Sequence, residues 1–397
     1  MAKLHEYAGR YCESEFENAF LSFLEAEGWQ YLPGNSIARS SRREVLYNDD
    51  LEQFLRKTNP DLITEEVRQV MDTVRLAGAE SDFATLHKVY GWMVNGVQFT
   101  PQSGVARMVA LIDFDHPDNN IFRAVNQFTV EYTNNGQIEN RRPDVLLFVN
   151  GMPLCVIELK NPADDRATIY DAWEQINVRY WRDIPHLLHY CSLACISDGV
   201  KTRLGTVRTP YEHFYAWRRV ENGDKVSTLP FDEMQTMIKG VYSPARFLEI
   251  FRDYIYFQDH EYDSNEVEIV CRYPQFFAAR MLKQSIVKSV IEKSGKGGTY
   301  FGATGCGKTY TMAFLARQLA LRCTDVPEIG SPTIVMIVDR DDLQKQGAKL
   351  FTKSKEFLNL GEVSVVPNRN KLREELKARE SGGFYICNVI FRFQFHG

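Results

Sequence analysis

Apolar residues at the start of the chain recur at helical spacing. Phe16, Phe20, Phe23 and Leu24 share one stripe and Gly28 follows, which predicts an amphipathic helix over 13–28 ended by a glycine. Residues 40–90 keep a helical period with charged outer faces and predict two or three more helices. From Gly104 the pattern becomes extended. Strands are predicted over 106–114, 126–132 and 144–149, with Asn134-Asn135-Gly136 as the turn between the second and third. Asn150-Gly151 marks a further turn and 152–159 the next strand, so the strands bearing Asp144 and Glu158 form a hairpin. A helix over 167–180 and a strand over 188–196, closed by Ser197-Asp198-Gly199, complete an α/β sandwich.

A polar loop over 221–228 precedes an aromatic-rich helical stretch, 231–258, expected to pack the two halves of the chain together. A new unit begins near Asp259. It has a helix over 275–293, an incoming strand over 297–301, a glycine-rich loop, a helix over 308–322 and a strand over 333–338. That order predicts a parallel-sheet nucleotide-binding domain. The expected domains are therefore 1–258 and 259–397. No internal repeat or low-complexity segment interrupts either.

Composition narrows the partners. A formal net charge of −5 over 397 residues argues against indiscriminate coating of nucleic acid, so a DNA contact must come from a local basic region. One exists between Arg272 and Arg322, where nine Lys and Arg face a single acid, Glu292. The eight cysteines show no paired CxxC spacing, which disfavours a zinc ribbon and suits buried thiols in a reducing compartment. With no apolar signal core and no run approaching about 20 apolar residues, the expectation is a cytoplasmic protein with no membrane contact.

Two constellations carry chemistry. Glu158-Leu159-Lys160 follows Asp144 by fourteen residues, and both acids sit at the ends of apolar runs, Val145–Val149 and Val156-Ile157. Phosphodiester hydrolysis needs a divalent metal to stabilise phosphate charge and generate hydroxide. Two carboxylates with a backbone carbonyl form a hard-oxygen site suited to Mg²⁺. Glu158 and Lys160, two apart on a strand, leave the same face, which places the lysine to orient water or offset negative charge; Leu159 points into the core. The competing reading is a pair of solvated strand edges, since a bare ExK is common. Glu17, beside the Phe20–Leu24 stripe, is a candidate additional acid, with a surface role as its competitor.

The second constellation is Gly302-Ala303-Thr304-Gly305-Cys306-Gly307-Lys308-Thr309, a full P-loop pattern between a predicted strand and a predicted helix. Backbone N–H groups of such a loop turn inward around phosphate, and the helix start adds a positive dipole. Lys308 is the candidate for the β- and γ-phosphates of ATP, and Thr309 for Mg²⁺.

Arg142-Pro143-Asp144, Val156–Pro162 and Ile196–Gly199 resemble the amino-terminal nuclease domain of type I restriction enzyme R (motor) subunits, a branch of the PD-(D/E)xK nucleases. The resemblance implies that Asp144 and Glu158 hold the metal and that Lys160 is the catalytic lysine. It also implies a Gln-x-x-x-Tyr motif on the following helix. The candidates are Gln175 and Tyr180, five apart rather than four, with Arg179 in the expected place. Many nucleases of this fold add an acid from the first helix, the position of Glu17. Residues 338–346 resemble motif Ia of superfamily 2 helicases, which touches the DNA backbone, against the plainer reading of a charged helix cap. Arg272-Tyr273-x-Gln275 resembles the adenine-reading Q-tip, with Gln275 on the base.

The fold class so implied is α/β: a PD-(D/E)xK nuclease-like domain followed by a truncated RecA-like P-loop domain. The implied function is the nuclease and partial ATP-binding motor region of an R subunit. It would cut double-stranded DNA with Mg²⁺ in complex with modification (methyltransferase) and specificity subunits. The resemblance covers residues 10–386. After Asp342 no apolar strand leads into a Walker B Asp-Glu pair: Glu374-Glu375 lie in a charged helix. Hydrolysis of ATP and translocation are therefore not expected of this chain alone. The apolar stretch 384–397 reads as a tail without a partner strand and suggests truncation or frameshift. A stand-alone ATP-regulated nuclease and an inactive DNA-binding decoy are the alternatives.

Overall fold

The computed structural model describes residues 13–78, 80–161, 168–226, 232–258, 266–323, 325–338, 341–358, 363–378 and 382–388. The chain divides into two compact units, one ending at Ile255 and the other beginning at Tyr256. The division expected at 258/259 touches Asp259, which lies outside the described residues.

In the first unit, helix α1 (Glu13–Ala26) buries Phe16, Phe20 and Leu24 and ends before Gly28, whose φ of 107° only glycine adopts without strain. Helices α2 (Asn48–Thr58), α3 (Thr64–Arg75) and α4 (Asp82–Asn95) follow, filling the helical stretch expected there. The sheet has six strands: β1 (Gln30–Pro33), β4 (Phe122–Asn126), β7 (Val145–Val149), β8 (Met152–Leu159), β9 (Leu193–Ser197) and β10 (Thr202–Gly205), in that order. Strands β1 with β4 and β8 with β9 run parallel, and the other pairs antiparallel. Every residue of β7 and β8 is buried, which is why both read as continuous apolar runs rather than alternating ones. Short pairs β2 (Val97–Phe99) with β3 (Arg107–Val109), and β5 (Val130–Asn134) with β6 (Gln137–Arg141), stand outside the sheet.

Several expected boundaries change. The strand expected over 126–132 is broken at Gln127, whose φ is 52°, into β4 and β5. The Asn134–Gly136 turn joins β5 to β6, a strand too polar to be seen as one. The strand expected over 188–196 starts only at Leu193, because Pro185–Leu188 is a short helix. The helix expected over 167–180 is α5 (Ile169–Glu174) followed by a π-helical turn, Gln175–Tyr180. Short helices α6 (Trp181–Asp183) and α7 (Pro185–Leu188) continue it. The stretch 231–258 forms α8 (Asp232–Val241), α9 (Pro244–Asp253) and then β11 (Ile255–Phe257).

The hairpin β7–β8 carries one register shift. Val149 pairs with Met152 and Phe148 with Pro153, but Leu147 pairs with Cys155, leaving Leu154 as the extra residue of a bulge. Val145 therefore faces Ile157, and the next step outward sets Asp144 opposite Glu158. Without the bulge Asp144 would stand opposite Ile157, and Glu158 would project to the other face.

In the second unit β12 (Glu268–Val270) pairs with β11. Helices α10 (Tyr273–Ile291) and α11 (Lys308–Leu321) pack on each other. A parallel sheet runs β13 (Ile334–Val338), β15 (Phe384–Asn388), β14 (Val363–Val366). Helices α12 (Asp341–Thr352), α13 (Lys355–Leu358) and α14 (Arg369–Ala378) complete it. Two expectations are corrected. Residues 297–301 form no ladder. The segment 384–388 is not a tail without a partner but the middle strand of this sheet, paired on both sides. The rest of that segment, 389–397, lies outside the described residues, as do Asp339, Arg340 and the neighbouring side chains of the motif at 338–346.

Candidate active site

The ends of β7 and β8 meet where the register predicts. Leu159 donates its backbone N–H to Asp144 Oδ2 at 2.8 Å, clamping the two strand ends together. Lys160 N–H donates to the Ser197 carbonyl at 2.8 Å, so β9 holds the other side of the ExK segment. Glu158 is fully buried. Its Oε1 accepts the Tyr180 hydroxyl at 2.6 Å, and its Oε2 has no hydrogen-bond partner among the described residues. Burial, and then the Asp144 carboxylate beside it, push the Glu158 carboxyl well above the usual range; Lys160 and the Tyr180 hydroxyl pull the other way.

Lys160 Nζ donates to Gln175 Oε1 at 2.9 Å, and Gln175 Nε2 donates to the Tyr180 hydroxyl at 2.8 Å. A chain of hydrogen bonds thus runs Lys160–Gln175–Tyr180–Glu158 and returns to its own strand. The π-helical turn makes this possible. A turn of wider pitch than an α-helix brings positions five apart onto one face, which an α-helix does for positions four apart. The five-residue spacing of Gln175 and Tyr180 is therefore compatible with a shared face, and Arg179, half-exposed, pairs with Glu174 at 2.7 Å.

Glu17 is buried on α1 and faces this region. Its two oxygens accept the Asn126 and Gln127 side-chain amides at 2.6 and 2.5 Å. Gln127 in turn donates its backbone N–H to the Asp144 carbonyl at 3.0 Å. A cavity of about 990 Å³ is lined by Glu17, Asp144, Gln175 and Tyr180, with Arg141, Arg142 and Arg179 among its other lining residues. Sequence reasoning missed Asn126 and Gln127. Their signal was a pair of amides interrupting an apolar run, which a strand assignment absorbed. It missed the arginines too, although Arg142 stands in the quoted Arg-Pro-Asp motif.

Mg²⁺ fits this donor set by two observations. A buried carboxyl group with an unpartnered oxygen, next to a second carboxylate, either takes up a proton and becomes neutral or stays ionised with a cation beside it. The ligand atoms are hard oxygens. Among the described residues no group of three or more His, Cys, Asp or Glu side chains clusters as a metal site.

In the second unit Gly305 and Gly307 both have φ of 80°, turning the loop into the first turn of α11 with Gly307 as its N-cap. Lys308 Nζ donates to the Gly302 and Ala303 carbonyls at 2.9 Å each, folded back on its own loop. Thr304 is exposed, while Cys306 and Thr309 are half-buried. Gln275 is buried and committed to the loop: Oε1 accepts from the Arg272 N–H at 2.8 Å, and Nε2 donates to the Gly307 carbonyl at 3.1 Å. A Cβ at Gly307 would collide with that Gln275 amide. Contact with a base would require Gln275 to exchange one of these partners.

An α/β unit with paired acids and a lysine at adjoining strand ends, followed by a P-loop unit, defines a nuclease-like protein joined to an ATPase-like one. Residues 10–213 match the family described as type I restriction enzyme R protein N terminus, and residues 274–396 match the SWI2/SNF2 ATPase family. The chain is 30% identical over 393 residues, 95% of its length, to the type I restriction enzyme HindI endonuclease subunit of Haemophilus influenzae. It is 26% identical over 237 residues, 59% of its length, to the type I restriction enzyme SauCOLORF180P endonuclease subunit of Staphylococcus aureus. It spans 36% of the first relative and 22% of the second. The chain belongs to the type I restriction enzyme R subunit family. No helix among the described residues is long and apolar enough to cross a membrane.

Proposed function

We propose that the first unit is the endonuclease part of a type I restriction enzyme and hydrolyses phosphodiester bonds of double-stranded DNA with Mg²⁺. The second unit, in this reading, binds ATP through Gly302–Thr309, with Thr309 on its Mg²⁺. Sequence recognition would belong to modification and specificity subunits in a cytoplasmic complex. The observation that carries the nuclease reading is the hydrogen-bonded circuit Lys160–Gln175–Tyr180–Glu158, closing on a buried carboxylate with one free oxygen.

Asp144 and Glu158 would hold the metal, whose charge would stabilise the scissile phosphate and acidify an attacking water. Gln175 orients the Lys160 ammonium, and that ammonium offsets the charge that develops on the phosphate. Tyr180 fixes the Glu158 carboxylate through Oε1 and leaves Oε2 for the metal. Glu17, held by two amides, lines the same cavity and adds a carboxylate on the α1 side. Arg142 makes no hydrogen bond or ion pair among the described residues, and it stands at the cavity as a cation for a DNA phosphate.

The test is cleavage of supercoiled plasmid with Mg²⁺ and ATP, in the presence of cognate modification and specificity subunits. Lys160→Ala is expected to cut at least about 100-fold more slowly while leaving ATP binding unchanged. Undiminished cutting by this variant would remove Lys160, and with it the assigned circuit, from the mechanism.

A further inference from the structure

A second cavity of the first unit, about 420 Å³, is separate from the Asp144–Glu158 network in every lining residue. Two arginines and two histidines converge on it from three segments: Arg43 ahead of α2, Arg75 from the last turn of α3, and His186 and His189 in and after α7. Its apolar lining includes Leu46 and Tyr190, both buried, and the Tyr190 ring is pinned by a 2.8 Å hydrogen bond from its hydroxyl to the Val74 carbonyl.

The acids nearby already have partners. Asp72 pairs with Arg75 at 2.5 Å and Asp82 with His189 at 2.8 Å, while Glu44, itself a lining residue, accepts from the Ser40 N–H and hydroxyl through its carboxylate. Arg75 also donates to Asn48 at 3.1 Å, and Arg43 donates to Thr133 through one nitrogen. Each guanidinium carries five N–H groups, so both keep donors for a further acceptor. His186 is the group left over. Its Nε2 is buried with no partner among the described residues. Burial first, and then His189 and Arg43, hold its pKa below the ordinary histidine range.

We propose that this cavity binds a small phosphomonoester with an aromatic body, in chemical class a nucleoside monophosphate. Its phosphate meets Arg43, Arg75 and His186, and its ring lies against Leu46 and Tyr190. Size favours this over a bare anion: small-molecule pockets run to roughly 300–1,000 Å³, and a phosphate alone would leave most of the space empty. A phosphate of the DNA backbone offers the same oxyanion, so the experiment must separate the two sources.

The full chain, its P-loop kept occupied by a non-hydrolysable ATP analogue, is titrated with adenosine 5′-monophosphate, adenosine, inorganic phosphate and a short DNA duplex. Saturable binding of the monophosphate is expected, weakened at least about tenfold by Arg43→Ala and by His186→Phe. Adenosine and phosphate should each bind more weakly than the monophosphate, and the affinity for the ATP analogue should be the same in both variants. Arg43 is exposed, so its variant keeps the test valid if His186→Phe fails to fold. Absence of saturable monophosphate binding, or equal binding by a folded variant, overturns the proposal. Duplex binding that depends on Arg43 while the monophosphate does not bind also overturns it and reassigns the site to DNA.

Discussion

Glu158 is where folding and the proposed function conflict most directly. A carboxylate with no exposure and one unpartnered oxygen destabilises the apo protein, and what compensates it within the chain is the Tyr180 hydroxyl and the Lys160 charge. Tyr180→Phe keeps the ring in its buried slot but removes the hydroxyl shared by Glu158 and Gln175. Loss of such a supporting contact is expected to slow Mg²⁺-dependent cleavage by about 10–100-fold, read from plasmid nicking, without changing ATP binding. The pH dependence follows with a definite sign. Because folding raises the Glu158 pKa, the folded chain keeps this proton at pH values where the unfolded chain has lost it. Its contribution to stability therefore falls as pH rises above the ordinary glutamate value, and it goes on falling until the raised folded value is passed. Denaturant unfolding of the metal-free protein between about pH 5 and pH 9 should show this fall relative to Glu158→Gln, which cannot ionise. Parallel profiles for the two proteins would contradict it. The acids and the lysine were legible in the sequence, because charged groups ending fully apolar strands have few structural explanations. The state of Glu158 was not, since it depends first on complete burial and then on the neighbouring Asp144, both of which only the fold creates.

At the scale of elements, two one-residue irregularities shape the site. The bulge at Leu154 sets Asp144 opposite Glu158, and the π-helical turn sets Tyr180 above Glu158 and beside Gln175. Hydrophobic periodicity is blind to both. A fully buried strand has no alternation to show a register shift, and a π-turn changes helical phase by less than a short apolar pattern can reveal. The hairpin turn itself was legible from Asn150-Gly151, whose φ values of 50° and 77° are those of a type I′ turn. Packing adds a demand that the dipeptide does not reveal. Gly151 accepts the Tyr47 N–H at 2.8 Å, and a Cβ there would run into the Tyr47 carbonyl oxygen. Gly151→Ala combines that collision with left-handed strain and should cost about 2 kcal/mol or more of first-unit stability, measured by denaturant unfolding. A loss under about half a kcal/mol would show that the α2–hairpin junction relaxes freely.

Across the whole chain, legibility followed the strength of local chemistry. The P-loop and the hairpin were read at their true positions because glycine spacing and turn dipeptides are backbone requirements. Residues 297–301 looked like a strand but have no ladder, and 384–388 looked like an unpaired tail but lie between β13 and β14. Both errors concern long-range strand pairing, which composition does not encode. Glu17 shows the same limit within the site, since only the meeting of α1 with Asn126 and Gln127 gives it an inward role.

Asp144 and Glu158 are proposed to hold one divalent metal together. Calorimetric titration of nucleotide-free protein with Mg²⁺ tests it most directly, because without ATP the P-loop threonine has no phosphate to share a metal with. A single site is expected, lost in Asp144→Asn, whose binding heat varies with buffer ionisation enthalpy because Glu158 releases its proton to the solvent as the metal enters. Equal binding by wild type and Asp144→Asn, or no binding by either, would contradict it.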